Sequence, residues 1–218
     1  MTDYKDLIFR VYNYDTHIDS TRYNAISTTT LIGPAYKAKL YLNKTEKDSS
    51  FIDNTLKRSS TLGTAFHERA EAALKHDPSI VQEIYKEREI VFDREFFVIS
   101  GSCDLLQEEE DGTYTICDFK THYGASFKGL ESAQKQLSIY RWLLQDEYNI
   151  NDLGYVLSLS VTNNGKEQAH PLSLMSLEDT ELYIESRIDL IVNSEEVDCA
   201  NTSYNSCSYC TFVCQHRQ

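Results

Sequence analysis

Ile99-Ser-Gly-Ser-Cys-Asp-Leu-Leu-Gln-Glu-Glu-Glu-Asp-Gly-Thr-Tyr-Thr-Ile-Cys-Asp-Phe-Lys-Thr121 spells a β-hairpin. Ser102 to Leu106 leads into an acidic run, Asp111-Gly112 supplies a tight-turn dipeptide, and Tyr114 to Phe119 returns. Asp104 and Asp118 therefore fall on neighbouring strands. Side chains alternate faces along a strand, so Asp118 and Lys120 point the same way while Phe119 points into the opposite layer. Two carboxylates can bind a hard divalent cation such as magnesium, and an adjacent ammonium can orient a water and offset charge on a phosphate. Asp-x-Lys alone is common, and a surface salt bridge on an ordinary hairpin would read the same way.

Two helical segments add to the pattern. Gly63-Thr-Ala-Phe-His-Glu-Arg-Ala-Glu-Ala-Ala-Leu74 has amphipathic spacing, with Leu62, Phe66, Ala70, Ala73 and Leu74 on the apolar side. His67, Glu68 and Glu71 lie along its polar edge. His67 and Glu71 stand one turn apart, so an imidazole and a carboxylate can reach a common ion or water, although a lone helical histidine is as readily structural. In the second segment Leu130, Leu137, Trp142 and Leu144 supply a core face. Gln136 and Tyr140, four residues apart, present an amide and a phenol that can grip a phosphate or pack as a polar helix edge.

The order His67, Asp104, Asp118-x-Lys120, Gln136-x-x-x-Tyr140 resembles the PD-(D/E)XK nucleases, in the branch of RecB-type nuclease domains, lambda exonuclease and CRISPR-associated adaptation nucleases. The match covers about residues 60 to 165. The resemblance implies that His67, Asp104 and Asp118 bind the catalytic metal, Mg2+ or Mn2+, together with the backbone carbonyl of Phe119. It further implies that Lys120 positions the attacking water, and that Gln136 and Tyr140 support the phosphate site. Ser102-Cys103 stands where the name-giving proline would precede Asp104, a substitution this branch tolerates. The family's glutamate before the first core strand falls on Glu89 or Glu87.

The coarse pattern predicts a helix near 61–76, strands at Ile90–Phe92 and Phe96–Ile99, the hairpin, a helix near 126–147 and a strand at Gly154–Val161. A second hairpin turns at Asn163-Asn-Gly165 and returns over Gln168–Leu174. A last amphipathic helix, Leu177–Val192, runs through Leu182, Ile188 and Ile191. This is α/β, a restriction-endonuclease-like core with a mixed central sheet flanked by helices in the order αβββαβ. The 218 residues suit one structural domain: a helical, basic N-terminal extension over 1–60, the nuclease core over 61–175, and a C-terminal helix with a Cys-rich tail over 176–218.

The net charge of −13 argues against a protein that coats nucleic acid indiscriminately, yet a local basic track suffices for docking. Residues 1–60 carry nine basic against seven acidic side chains; the remainder carries twelve against twenty-seven. The acidic runs Glu108–Asp111 and Glu178–Asp198 read as solvated faces. Lys120, Lys128, Lys135 and Arg141 form one basic group, and Lys37, Lys39, Lys44, Lys47, Lys57 and Arg58 another. A DNA track is expected between them, with Tyr36, Tyr41 or Tyr123 either stacking on bases or packing amphipathically. No apolar segment spans a membrane and the N-terminus lacks signal-peptide character, which predicts a cytoplasmic protein of a bacterial, phage or mobile-element host cell.

Cys103 and Cys117, on the hairpin, read as small buried hydrophobes. Cys199, Cys207, Cys210 and Cys214 crowd the tail with metal-ligand spacing. Several members of the resembled branch hold an iron-sulfur cluster through one upstream cysteine and three C-terminal ones. The C-terminal trio is present here, but Ile32-Gly33-Pro34 stands where those proteins carry Cys-Pro. Cys199 as fourth ligand of a cluster, His216 completing a Zn2+ site, or free thiols all remain open.

The expected function is a metal-dependent DNA nuclease, an exonuclease acting on single- or double-stranded DNA ends in recombination, repair or phage replication, alongside a recombination or replication protein partner. The alternatives are a structure- or site-specific endonuclease and a non-catalytic nucleic-acid-binding scaffold of the same fold.

Overall fold

The chain between Ile80 and Glu108 alternates apolar and charged residues on both sides of Asp93-Arg94, and it forms one long hairpin. A computed structural model describes residues 24–43, 54–162 and 166–195. β2 (Ile80–Phe92) and β3 (Glu95–Glu108) pair antiparallel from Phe92↔Glu95 down to Ile80↔Gln107. The short strands expected at 90–92 and 96–99 are thus the tip of this hairpin. Asp93 and Arg94 turn it with φ of 45° and 68°, the conformation a two-residue hairpin loop demands and glycine or asparagine usually supplies.

The opposite edge of β3 is shared. β1 (Ala25–Ser27) lies parallel to Val98–Ser100, and β4 (Tyr114–His122) lies antiparallel to Leu105–Glu108. Between them, residues 101–104 of β3 have no ladder partner on that edge. The sheet therefore forks at Gly101–Asp104. β4 then pairs parallel with β5 (Leu153–Ser160), which pairs antiparallel with β6 (Glu167–Ser173). The turn expected at Asn163–Gly165 lies outside the described residues.

Among the described residues, five helices accompany this sheet: α1 (Thr28–Ile32), α2 (Ala35–Leu42), α3 (Asn54–Leu74), α4 (Leu130–Leu144) and α5 (Leu177–Asn193). α4 is the crossover that parallel β4 and β5 require. α3 starts before the expected residue 61, so the division drawn at residue 60 cuts a helix. Side-chain caps fix two helix starts: the Ser27 hydroxyl accepts from the Thr30 N–H, and the Ser176 hydroxyl accepts from the Asp179 N–H.

Two apolar layers result. On one face Ile99, Leu106, Ile116, Leu137, Leu143, Ile184 and Ile188 form the main core with α4 and α5. Full burial of a side chain such as Leu137 is worth about 1.5–3 kcal/mol. On the other face Leu105, Cys117 and Phe119 pack against Phe66, Ala70 and Leu74 of α3. Leu182, expected on the buried stripe of α5, is 57% exposed, and Ile184 takes its place because α4 meets the helix on the stripe of Ile184, Ile188 and Ile191. Ala73 is likewise exposed.

One rung breaks the regular pleat. Cys103 and Leu105, two apart, belong to opposite layers, whereas Cys103 and Leu106, three apart, share one. In β2, Val81 and Ile84, also three apart, join the same main core, with Ile80 on the other side. Both strands exchange faces between those positions. The ladder skips one rung, between Gln82↔Leu105 and Ile84↔Cys103, and resumes with the same offset, which sets Glu83 opposite Asp104 as an unpaired rung.

Candidate active site

The fork in the sheet is where the hairpin's acids meet. Continuing the β3–β4 register past Leu105↔Cys117 would set Asp104 against Asp118, but the strands part there. The Phe119 N–H, freed from the ladder, donates to Asp104 Oδ2 at 2.9 Å. His67 Nδ1 of α3 stands 3.6 Å from the same oxygen, beyond a hydrogen bond and within reach of a shared ion. The His67 ring rests edge-on against Phe119, 6.0 Å between centroids.

Asp118 is 2% exposed. Lys120, two residues on and on the same face, places its ammonium 3.0 Å from Oδ1, which accepts its hydrogen bond. The ammonium also lies 2.8 Å from Oδ2, off the donor direction, so Oδ2 is in an ion pair without a hydrogen bond. Burial pushes the Asp118 carboxyl up to about 6, with Asp104 adding to the rise and Lys120 and His67 opposing it. Glu71 is also raised, by burial first and then by Glu83, whose side chain shares a hydrogen bond with it; His67 opposes and Asp104 adds.

Gln136 and Tyr140 of α4 are both buried, and the Gln136 amide donates to the Tyr140 hydroxyl at 2.7 Å. Burial holds the phenol above its ordinary range, and Asp118 and Asp104 contribute in the same direction. The Tyr140 ring reaches this position over Gly101. A Cβ there would lie 2.6 Å from Tyr140 Cε1 and 2.6 Å from Thr28 Oγ1. Thr28, itself buried, donates its hydroxyl to the Ser100 carbonyl at 2.9 Å. The glycine that opens the hairpin motif is thus a packing requirement of α1 and α4.

The sequence-derived residues come together in pairs: His67 with Asp104, Asp118 with Lys120, Gln136 with Tyr140. Among the described residues no three His, Cys, Asp or Glu side chains converge as a ready-made metal cage. The donor chemistry nonetheless fits a hard divalent ion, since Asp104 and Asp118 offer carboxylate oxygens with the His67 imidazole 3.6 Å from one of them. Neither Glu87 nor Glu89 lies near; they stand opposite Ser100 and Val98. Glu83 is the glutamate beside Asp104, and the sequence signal for it was the apolar spacing Val81–Ile84, three where a strand has two.

Among the described residues, part of the expected basic track is engaged within the protein. Lys39 donates to the carbonyls of Val192 and Ser194 at 2.7 and 2.9 Å, Lys135 pairs with Glu131, and Arg141 with Asp152. Lys128 is exposed. Lys44 and Lys47, the side chains of Lys57 and Arg58, and the tail's Cys199, Cys207, Cys210, Cys214 and His216 lie outside the described residues. At Ile32-Gly33-Pro34, where the resembled nucleases carry Cys-Pro, the Arg187 guanidinium donates to the carbonyls of Leu31 and Gly33, tying α1 to α5. Cys103 and Cys117 are buried free thiols, as expected of small hydrophobes.

A mixed sheet forked at paired acids, with a lysine beside one of them, defines an α/β fold of the restriction-endonuclease-like class. The family profile of the PD-(D/E)XK nuclease superfamily matches residues 45–215, and the chain belongs to that superfamily. It is accordingly a nuclease by family. The crystal structure of SSO0001 shares the fold with a TM-score of 0.69, at 16% identity over 100% of this chain and 98% of that one. The crystal structure of a "putative exonuclease" from Eubacterium rectale aligns with a TM-score of 0.47, at 10% identity over 92% of this chain and 96% of that one. No curated protein matches the sequence. Among the described residues no helix is long and apolar enough to cross a membrane.

Proposed function

We propose that the protein is a divalent-metal-dependent deoxyribonuclease that degrades DNA from its ends. The observation that carries this reading is the buried Asp118 carboxylate paired with Lys120 at the fork, across from Asp104 and His67. His67, Asp104, Asp118 and the Phe119 carbonyl would hold Mg2+ or Mn2+. When bound, such an ion polarises a phosphate and acidifies water near neutral pH.

The chain's own groups do the rest. The Lys120 ammonium, 30% exposed, can hold a water by hydrogen bond and offset the phosphate's charge while Asp118 keeps it in place. Gln136 and Tyr140, locked to each other and buried, form a rigid wall behind the acids. The Phe119 N–H fixes the Asp104 carboxylate. A scaffold without catalysis has no physical reason to bury an aspartate at such electrostatic cost.

Digestion of linear against covalently closed circular DNA in Mg2+ or Mn2+ tests the proposal. Loss of the linear form with circles intact is the expected result. Cutting of closed circles would make the enzyme an endonuclease, and survival of both would remove the nuclease reading.

A further inference from the structure

Glu83 lies in the middle of a thirteen-residue strand with φ of 51°, in the left-handed region that non-glycine residues rarely enter. Nothing local requires a turn there, since the β2–β3 register continues unchanged on either side. What changes at that rung is the face. Below it Val81 and Leu106 point to the main core with Gln82 paired to Leu105; above it Ile84 and Cys103 point to that same core. Asp104, opposite Glu83, is the residue at which β3 makes the exchange. It meets His67 of α3 and the Phe119 N–H, while Gly101, three residues before it, faces Tyr140 of α4.

We propose that Glu83 is a positioning residue of the cleavage centre, and that its left-handed backbone is what turns Asp104 toward His67 and Phe119. A regular pleat continued from Leu106 would carry Asp104 to the α4 face, away from the imidazole. The half-turn at Glu83 and its partner rung re-aims one side chain without adding a residue, so the hairpin keeps its register and its length. Strain of this kind persists where the surrounding structure over-determines it, and here β2 is paired with β3 on both sides of Glu83, from Ile80 to Gln82 and from Ile84 to Phe92. The role belongs to the backbone of residue 83. Its carboxylate bonds Glu71, yet glycine, which adopts φ near 51° freely, should serve in its place.

The inference rests on the nuclease reading only for its consequence in cleavage, and the test separates the two. Hydrogen exchange of the Phe119 amide in metal-free full-length protein reports the Asp104 bond directly. It is to be compared in wild type, Glu83→Gly and Glu83→Val, with cleavage of linear DNA in Mg2+ measured alongside. Protection at Phe119 should stay within about threefold of wild type in Glu83→Gly and fall at least about tenfold in Glu83→Val, relative to neighbouring β4 amides. If Glu83→Val does not fold, Glu83→Ala against Glu83→Gly decides the same question, since alanine also resists positive φ. Equal protection in the valine or alanine variant, or an equal fall in the glycine variant, overturns the proposal. Wild type that shows the protection and the glycine rescue but cuts no DNA would defeat the nuclease reading alone.

Discussion

Asp118 carries the electrostatic cost of the site. Its carboxyl titrates near 6 in the folded chain against an ordinary value of 3.8, so folding takes up protons between those values. A raised carboxyl means that the native state binds more protons than the unfolded one, and stability through this group falls as pH rises from about 4 to about 6. Asp118→Asn removes that fall. In metal-free buffer its melting temperature relative to wild type should climb between pH 4 and 6 and level off above, while cleavage is lost. Melting curves that keep a constant offset across that range would contradict the burial argument. At this scale the sequence was legible where chemistry and strand parity coincide: Asp118 and Lys120 share a face because they are two apart. It was not legible at Asp104, which leaves the regular pleat of β3, and Glu83 opposite it left only the three-residue spacing of Val81 and Ile84 as a trace, since no composition rule places a glutamate at positive φ.

Among the elements, the contact of β3 with α1 and α4 fixes the site's rigid wall. Gly101→Ala would drive a methyl to within 2.6 Å of both Tyr140 and Thr28. Overpacking of that kind costs about 1–3 kcal/mol, read as a lower urea midpoint with an unchanged slope. Cleavage should drop in the same variant, because the displaced ring belongs to the Gln136–Tyr140 pair. A variant as stable as wild type would show that α4 can yield without cost. The Asp111-Gly112 hairpin was readable because Gly112 supplies φ of 77° and flanking residues alternate. The Asp93-Arg94 turn was not, since aspartate enters the left-handed region readily but arginine, where a glycine usually follows it, gives no such signal. Leu182 misled for a related reason: helical spacing marks an apolar stripe, but only the neighbouring helix decides which edge of the stripe is covered.

Across the whole molecule, the order of elements followed from periodicity, because long amphipathic segments and a βαβ crossover leave few topologies. The fork did not, because it arises from two strands far apart in the chain, β1 ending at Ser27 and β4 beginning at Tyr114, sharing one edge of β3. Net charge of −13 and the internal pairing of Lys39, Lys135 and Arg141 leave the protein no broad basic surface among those cations. Lys120, held beside the acids by Asp118, is the cation on which cleavage is expected to depend. The most direct measurement is release of nucleotides from linear DNA in Mg2+ by wild type and by Lys120→Ala matched for folding. A loss of at least about a hundredfold in kcat with the fold intact is expected, the scale on which electrostatic transition-state groups act. Equal rates for the two proteins would contradict it.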